Sequence, residues 1–508
     1  MAKQSFDVAC VLALMLSLSL GLLNRSGQEQ PTCTVIVQPG QLIQKAIDRA
    51  QEGAVICVSA DSFPYIENLT ITKGLTLRGA GKDRTFLKGK EEGKPAINIT
   101  GDKKIQVSIE DLTVASTPYS GLTIWGNARV TLRNIDARHN GDTLYGAGAG
   151  LLVSDSSQVD VYNSRFYDNL TYGLFVSGSA LVTIKNSQFF KNATGISAQR
   201  QAHVNLINSQ TFDNRSYGLS VGGSAMVEVQ ESHFLDNSKC GLGVWTEEAQ
   251  VLGPPQEFQG NGADLCGFAP ASLRKPLAPQ TTKSQLAVPR DYANLQEAID
   301  AVAPGGEITI ASGTYEAGLT IWKPLTLRGA TSEQTILKAR LGKGLVVSIT
   351  SQGQGVTLRS LTITGSNGEG LLNGGRGSLI DVRISGNGED GLAIGDSAVM
   401  EVQSSIIIDN GTYQECDRTE YFCNGVSIAG QAQVSFIDST IKGNADWGIG
   451  VTLKQCGYPR DAFTGSVIFE GTNIIEGNNY WGNQKGMGNP GNHPWNNPSV
   501  PDGQVCLP

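Results

Sequence analysis

A glycine followed by an aliphatic residue returns at Gly150, Gly173, Gly195, Gly218 and Gly241, in steps of 23, 22, 23 and 23. It returns again at Gly370, Gly391, Gly425 and Gly448, in steps of 21, 34 and 23, the long step holding an insertion from Thr412 to Phe422. Each period contains three short runs that alternate apolar and polar residues, the pattern of half-buried strands. Val182–Ile184 is one such run, with equivalents at Val159–Val161, Val204–Leu206 and Val227–Val229. Propeller blades need about 40–50 residues, TPR and ankyrin units need helices, and the leucine-rich pattern is absent. What remains is a solenoid that adds one strand to each of three sheets per turn, its coils stacked at about 4.8 Å.

The composition agrees. Of 508 residues 62 are Gly, only 17 % are charged and 40 % are hydrophobic, so the chain has turns and a core. Disorder would need the reverse balance, and collagen would need Gly at every third position. The net charge of −8 comes with no basic stripe, which argues against a nucleic-acid partner. Asn recurs in two columns, Asn134, Asn163, Asn186 and Asn208, then Asn140, Asn169, Asn192, Asn214, Asn237, Asn387, Asn410 and Asn444. Asn tolerates the left-handed region and can bond to its counterpart one coil away. Phe166, Phe189 and Phe234 should point inward and stack coil on coil.

A larger unit occurs twice. Gly74–Ala80 matches Pro324–Ala330, and Ala46–Asp48 matches Ala298–Asp300. Each copy opens with an amphipathic helix. Leu42, Ile43, Ala46, Ile47 and Ala50 share a face in the first; Leu295, Ala298, Ile299 and Val302 do in the second. Asn294 and Glu297 have the spacing of a capping box. The division expected is a leader or anchor with spacer over 1–32, a first solenoid over 33–270, a linker over 271–284, and a second solenoid with a tail over 285–508.

The N-terminal apolar run, Val8 to Leu23, is 16 residues long, short for a membrane span and suited to a signal peptide. The alternative is an uncleaved anchor, the one membrane attachment expected. Cys10 would leave with a cleaved leader. Eight cysteines remain, which reads as four disulfides in an exported protein. Sequence allows 105 pairings, and the spacings favour neighbours: Cys33–Cys57, Cys240–Cys266, Cys416–Cys423 and Cys456–Cys506.

At this point the chain resembles the right-handed parallel β-helix proteins of the pectin lyase-like superfamily. The opening helix, Gly313–Tyr315, Leu319–Ile321 and Leu325–Gly329 resemble the N-terminal cap and first coils of such proteins, and Asn479–Gly482 resembles a terminal motif. The resemblance spans residues 33–508. It implies an all-β fold of two tandem right-handed parallel β-helices, each with an N-terminal capping helix. It is specific for fold and weak for activity, because one fold hosts unrelated functions. Members that are pectate lyases use Asp-bound Ca²⁺ and a basic Arg or Lys, so Ca²⁺ is a cofactor only if this chain is a lyase. The signatures of polygalacturonases and alginate epimerases are absent, so no family residue carries over.

Aligning the coils gives the site candidates. Arg133, Tyr162, Lys185, Ile207 and Gln230 fall in one outward column; Thr131, Asp160, Thr183, Asn205 and Glu228 fall beside it. Arg133, Asp160 and Lys185 are the candidate catalytic residues, competing with a reading as ordinary solvated positions. Arg383, beside Asp381, is aligned with Arg133 in the second copy. Trp125, Tyr172, Tyr217, Trp245, Trp322 and Trp447 are candidate sugar-stacking rings, competing with turn packing. Of His139, His203, His233 and His493, the first precedes a ladder Asn, His203 shares a column with Leu181 and Met226, and His233 shares one with Arg165 and Gln188; they do not stack on one another, so no metal site is expected. The leading expectation is a secreted or cell-envelope monomer that binds polysaccharide through its outer sheet faces. The alternatives are a lyase or hydrolase on acidic glycans, and a structural surface protein or adhesin; the sequence does not decide whether the chain is an enzyme.

Overall fold

The computed structural model describes residues 32–101, 103–142, 148–395, 397–412, 423–456, 458, 461–478 and 504–507. The apolar N-terminal run, the 412–422 insertion beyond Thr412, the Asn479–Gly482 motif and His493 lie outside them. No helix of the described residues is long and apolar enough to cross a membrane.

The described strands form four sheets of 17, 9, 13 and 7 strands, paired in parallel, coil above coil. The 17- and 9-stranded sheets draw only on residues 35–267, and the other two only on residues 285–506. Two large apolar clusters follow the same division. Alternation works as the sequence implies: Val159, Val161, Val182 and Ile184 are buried, and the residues between them face out. Phe166 stacks on Phe189 at 5.1 Å and Phe234 on Phe258 at 4.9 Å inside the first cluster. Thr211 fills the same column between them.

The repeat glycine has a geometric cause. A Cβ on Gly173, Gly195 or Gly218 would lie 2.6 Å from the carbonyl oxygen of the next repeat glycine. Any side chain there would push two coils apart. At the corners, Asn134, Asn163, Asn186 and Asn208 take φ of 55°, 51°, 53° and 45°, and Asn208 donates to Asn186 at 2.8 Å. The second Asn column is buried and runs unbroken within each half. Asn169 donates to Asn192 at 3.0 Å, Asn192 to Asn214 at 3.3 Å and Asn214 to Asn237 at 2.8 Å. Each Oδ1 also accepts the backbone N–H of the preceding ladder residue. A serine column, Ser164, Ser187, Ser209 and Ser232, does similar work beside it.

Helix α1 (Ile43–Arg49) buries Ile43 and Ile47 against the first coils. Leu42 departs from the expected apolar face: it is 59 % exposed, because it precedes the helix in an extended conformation. Glu67, one coil on, accepts the N–H groups of Ile43 and Gln44 and closes the N-terminus. Helix α2 (Leu295–Ala301) is capped by Asn294, which accepts from Gln296 and Glu297. Three disulfides join Cys33–Cys57, Cys240–Cys266 and Cys456–Cys506, as the spacings favour. Cys423 is also disulfide-bonded; Cys416 lies outside the described residues.

Candidate functional site

Six strands of the 17-stranded sheet build the candidate site: β1 (Gln106–Ala115), β2 (Arg129–Arg138), β3 (Gln158–Tyr162), β4 (Leu181–Lys185), β5 (His203–Ile207) and β6 (Met226–Gln230). Their register sets three outward columns. One rim is Gln106, Arg129, Gln158, Leu181, His203 and Met226; the centre is Ser108, Thr131, Asp160, Thr183, Asn205 and Glu228. The other rim is Glu110, Arg133, Tyr162, Lys185, Ile207 and Gln230. The centre of β1–β5 holds short side chains and the rims hold longer ones, so this face is a shallow trough along the solenoid axis. At its head a cavity of about 490 Å³ opens, lined by Glu52, Thr76, Gln106, Ser108, Arg129 and Thr131 among others.

The structure therefore brings Arg133, Asp160 and Lys185 onto neighbouring coils of one face. Among the described residues none of the three forms an ion pair with another protein side chain. The Arg133 guanidinium lies 4.9 Å from the centre of the Tyr162 ring. By contrast, Arg78, one strand before β1 in the same rim column, is paired to Glu110 at 2.9 Å and buried. Arg383 does not match Arg133. Asp381, with φ of 55°, is the corner counterpart of Asn134, so Arg383, two residues later, corresponds to Asp136. Asp136 is itself buried and held by Arg165 and Lys82.

The six rings do not share a surface. Trp125 is 47 % exposed. Tyr172 packs on Phe175, and burial raises its hydroxyl pKa. Tyr217 meets Trp245 at 5.1 Å, whose indole N–H donates to Ser220 at 2.9 Å. The Lys323 ammonium lies 5.0 Å from the Trp322 ring. Trp447 is buried in the second core. A further aromatic ladder, Tyr167, Phe190 and Phe212, stacks on an outer face at 4.7 Å per step. Its inner ring faces are covered by each other, which leaves edges to solvent.

A second constellation escaped the sequence reading. Lys239 lies 2.9 Å from Glu369 and 2.6 Å from Glu389, all three largely buried where the two halves of the chain meet. Burial acts to neutralise the Lys239 ammonium, but the two carboxylates outweigh it and hold its pKa well above the ordinary value. Burial drives the Asp390 carboxyl well above the usual range, although Ser427 and the Asn424 N–H partly oppose this. The N–H of Asn424 donates to it at 2.7 Å. Nearby, Thr320 Oγ1 accepts the N–H groups of Asp264 and Leu265, satisfying the free edge of the last strand of the 9-stranded sheet. The sequence marks only part of it: Glu369 and Asp390 directly precede repeat glycines, where Tyr172 and Tyr217 stand in the first half, but nothing in the repeat points to Lys239. Among the described residues no three His, Cys, Asp or Glu side chains are grouped to hold a metal ion.

Coil-on-coil parallel sheets with an outward trough define a β-solenoid. The family described as "Right handed beta helix region" matches residues 54–252 and 333–458, and the chain belongs to that family. No curated protein matches it. Among solved structures it is similar to pectate lyase Pel9A, 14 % identical over 50 % of this chain and 76 % of that one, with a TM-score of 0.39. It is similar also to pectin methylesterase PemA from Erwinia chrysanthemi, 13 % identical over 48 % of this chain and 93 % of that one, TM-score 0.34. A GH87 alpha-1,3-glucanase from Streptomyces thermodiastaticus is 13 % identical over 87 % of this chain and 69 % of that one, TM-score 0.29.

Proposed function

We propose that this protein is a secreted or cell-envelope β-helix that binds an acidic polysaccharide along the trough of β1–β6. The carrying observation is that Arg133 and Lys185 stand in one rim column with no ion-pair partner among the described residues, Arg133 over the Tyr162 ring, above a floor of short polar side chains. Such cations are available to a ligand's carboxylates. A polymer of pyranose sugars laid along the axis advances by close to one coil per sugar, since coils repeat at about 4.8 Å. Hydroxyl and amide groups on the floor supply hydrogen bonds to sugar hydroxyls. The disulfides accord with an oxidising compartment outside the cytosol. In this reading the chain is two tandem solenoids, α1 and α2 covering the sheet edges at their starts.

The test is calorimetric titration of the purified chain with acidic and neutral polysaccharides. Binding of an acidic polymer that weakens in Arg133→Ala/Lys185→Ala, with the circular dichroism unchanged, supports the reading. Failure of every polymer to bind sinks it. The same samples, assayed for new reducing ends or unsaturated products, test whether Arg133, Asp160 and Lys185 also cleave what is bound.

A further inference from the structure

The charges of the trough are arranged coil by coil. On β2 the rims carry Arg129 and Arg133, and the floor between them is Thr131. On β3 the rims are Gln158 and Tyr162, and the floor is the carboxylate of Asp160. On β4 one rim is Lys185 and the floor is Thr183. The order along the axis is thus cation over hydroxyl, carboxylate between neutral rims, then cation over hydroxyl. Arg133 and Lys185 are anchored two strand spacings apart, about 9.6 Å.

We infer that the trough selects an acidic polysaccharide bearing its charge on every second sugar. This rests on the trough being the glycan site. Charged sugars lie over β2 and β4, where guanidinium and ammonium groups meet their carboxylates. The sugar between them lies over β3. There Asp160 accepts hydrogens from its hydroxyls and Tyr162 offers a hydroxyl at the rim. A polymer charged on every sugar places a carboxylate over Asp160, and this like-charge contact rejects it. Asp160 is therefore the specificity-determining residue, and the one acidic floor position between the two cationic coils has a purpose that simple attraction of polyanions would not require.

The experiment is calorimetry on the full chain at low salt with three decasaccharides: hyaluronan, charged on alternate sugars; galacturonan, charged on each; and uncharged maltodecaose. The expected order of affinity is hyaluronan, then galacturonan, then maltodecaose. Asp160→Asn should strengthen galacturonan binding by about threefold, the scale of one exposed charge contact, and shift hyaluronan much less. Asp160→Ser, which matches the neighbouring floor residues, should do the same. Comparing variant with wild type on one polymer removes differences of linkage. Equal binding of the two acidic polymers, or a ratio unmoved by both substitutions, overturns the alternation and leaves the trough as a general polyanion site. No binding of either acidic polymer overturns the site and the alternation together.

Discussion

Lys239 Nζ lies 2.6 Å from Glu389 Oε2, although 150 residues of chain separate them. The same ammonium holds Glu369 at 2.9 Å, so one cation bridges two carboxylates at the junction of the two halves. Removing it leaves both carboxylates largely buried beside Asp390. Breaking a buried pair this way costs about 3–5 kcal/mol. Lys239→Met should therefore lower stability by about 3 kcal/mol, the low end because the cluster keeps some contact with water. Urea unfolding followed by fluorescence reads this, since Trp245 packs on Tyr217 beside the cluster. A change below about 0.5 kcal/mol, the scale of an ordinary surface substitution, would show that the pair is a surface contact only.

Asp390 makes a pH prediction. Its folded pKa is raised above the unfolded value, so the folded state binds the proton more tightly. The stability this contributes is present below the unfolded value of about 3.9 and is lost as pH rises through the folded value. Asp390→Asn keeps an acceptor for the Asn424 N–H and removes the titration. The variant should gain thermal stability over wild type as pH rises from acid to neutral, and little at the acid end. Melting curves taken across that range, with parallel pH profiles for the two proteins, would refute the assignment.

The fold was legible because the coil imposes local rules on every repeat. A buried Asn must stand where Asn192 stands, and a glycine where Gly195 stands, whatever the partner coil contains. The outward columns were legible for the same reason: register in a parallel solenoid follows from the repeat length, so Arg133, Tyr162 and Lys185 could be aligned by counting. The misalignment of Arg383 shows the limit. The corner residue changes from Asn134 to Asp381, and without that anchor the count slips by three positions. The Lys239 cluster was not legible, because it depends on how two separately patterned halves pack. Sequence periodicity describes neighbours one coil apart and carries no information about Glu369 meeting Lys239. Trp447 lies buried in the second core, in keeping with the packing alternative that its place before a corner glycine left open.

The repeat glycine offers a third test. In Gly195→Ala the new Cβ would sit 2.6 Å from the Gly218 carbonyl oxygen and 2.9 Å from Asn214 Nδ2. Both neighbours belong to fixed ladders, so the coils must separate. Overpacking of this kind costs about 1–3 kcal/mol. Gly40, with open space around its Cβ position but φ of 82°, is the control for backbone strain alone. Gly195→Ala should also speed amide hydrogen exchange in Thr194–Ala198 and the two strands that flank it, Tyr172–Val176 and Tyr217–Val221. An effect confined to the substituted strand would argue against coil separation.

Asn192 gives the sharpest test of the ladder. Its amide donates to Asn214 Oδ1 at 3.3 Å and to the Phe166 carbonyl at 3.0 Å, while its Oδ1 accepts from the N–H and side chain of Asn169 at 3.0 Å each. The site is fully buried, so water cannot replace these partners. Asn192→Ala strands a donor N–H and a carbonyl oxygen, each worth about 1–3 kcal/mol when left unsatisfied, and a loss of about 3 kcal/mol is expected by urea unfolding. Asn192→Asp keeps the acceptor but has no N–H to give Phe166 or Asn214, and it buries a carboxylate unless that group takes up a proton. The aspartate variant should therefore be at least as unstable as the alanine variant at neutral pH and recover as the pH falls, because protonation restores one donor. The alanine variant should show no such recovery. If the two variants respond to acid alike, the stability of this corner comes from packing around Phe166 and Phe189 and not from the amide ladder.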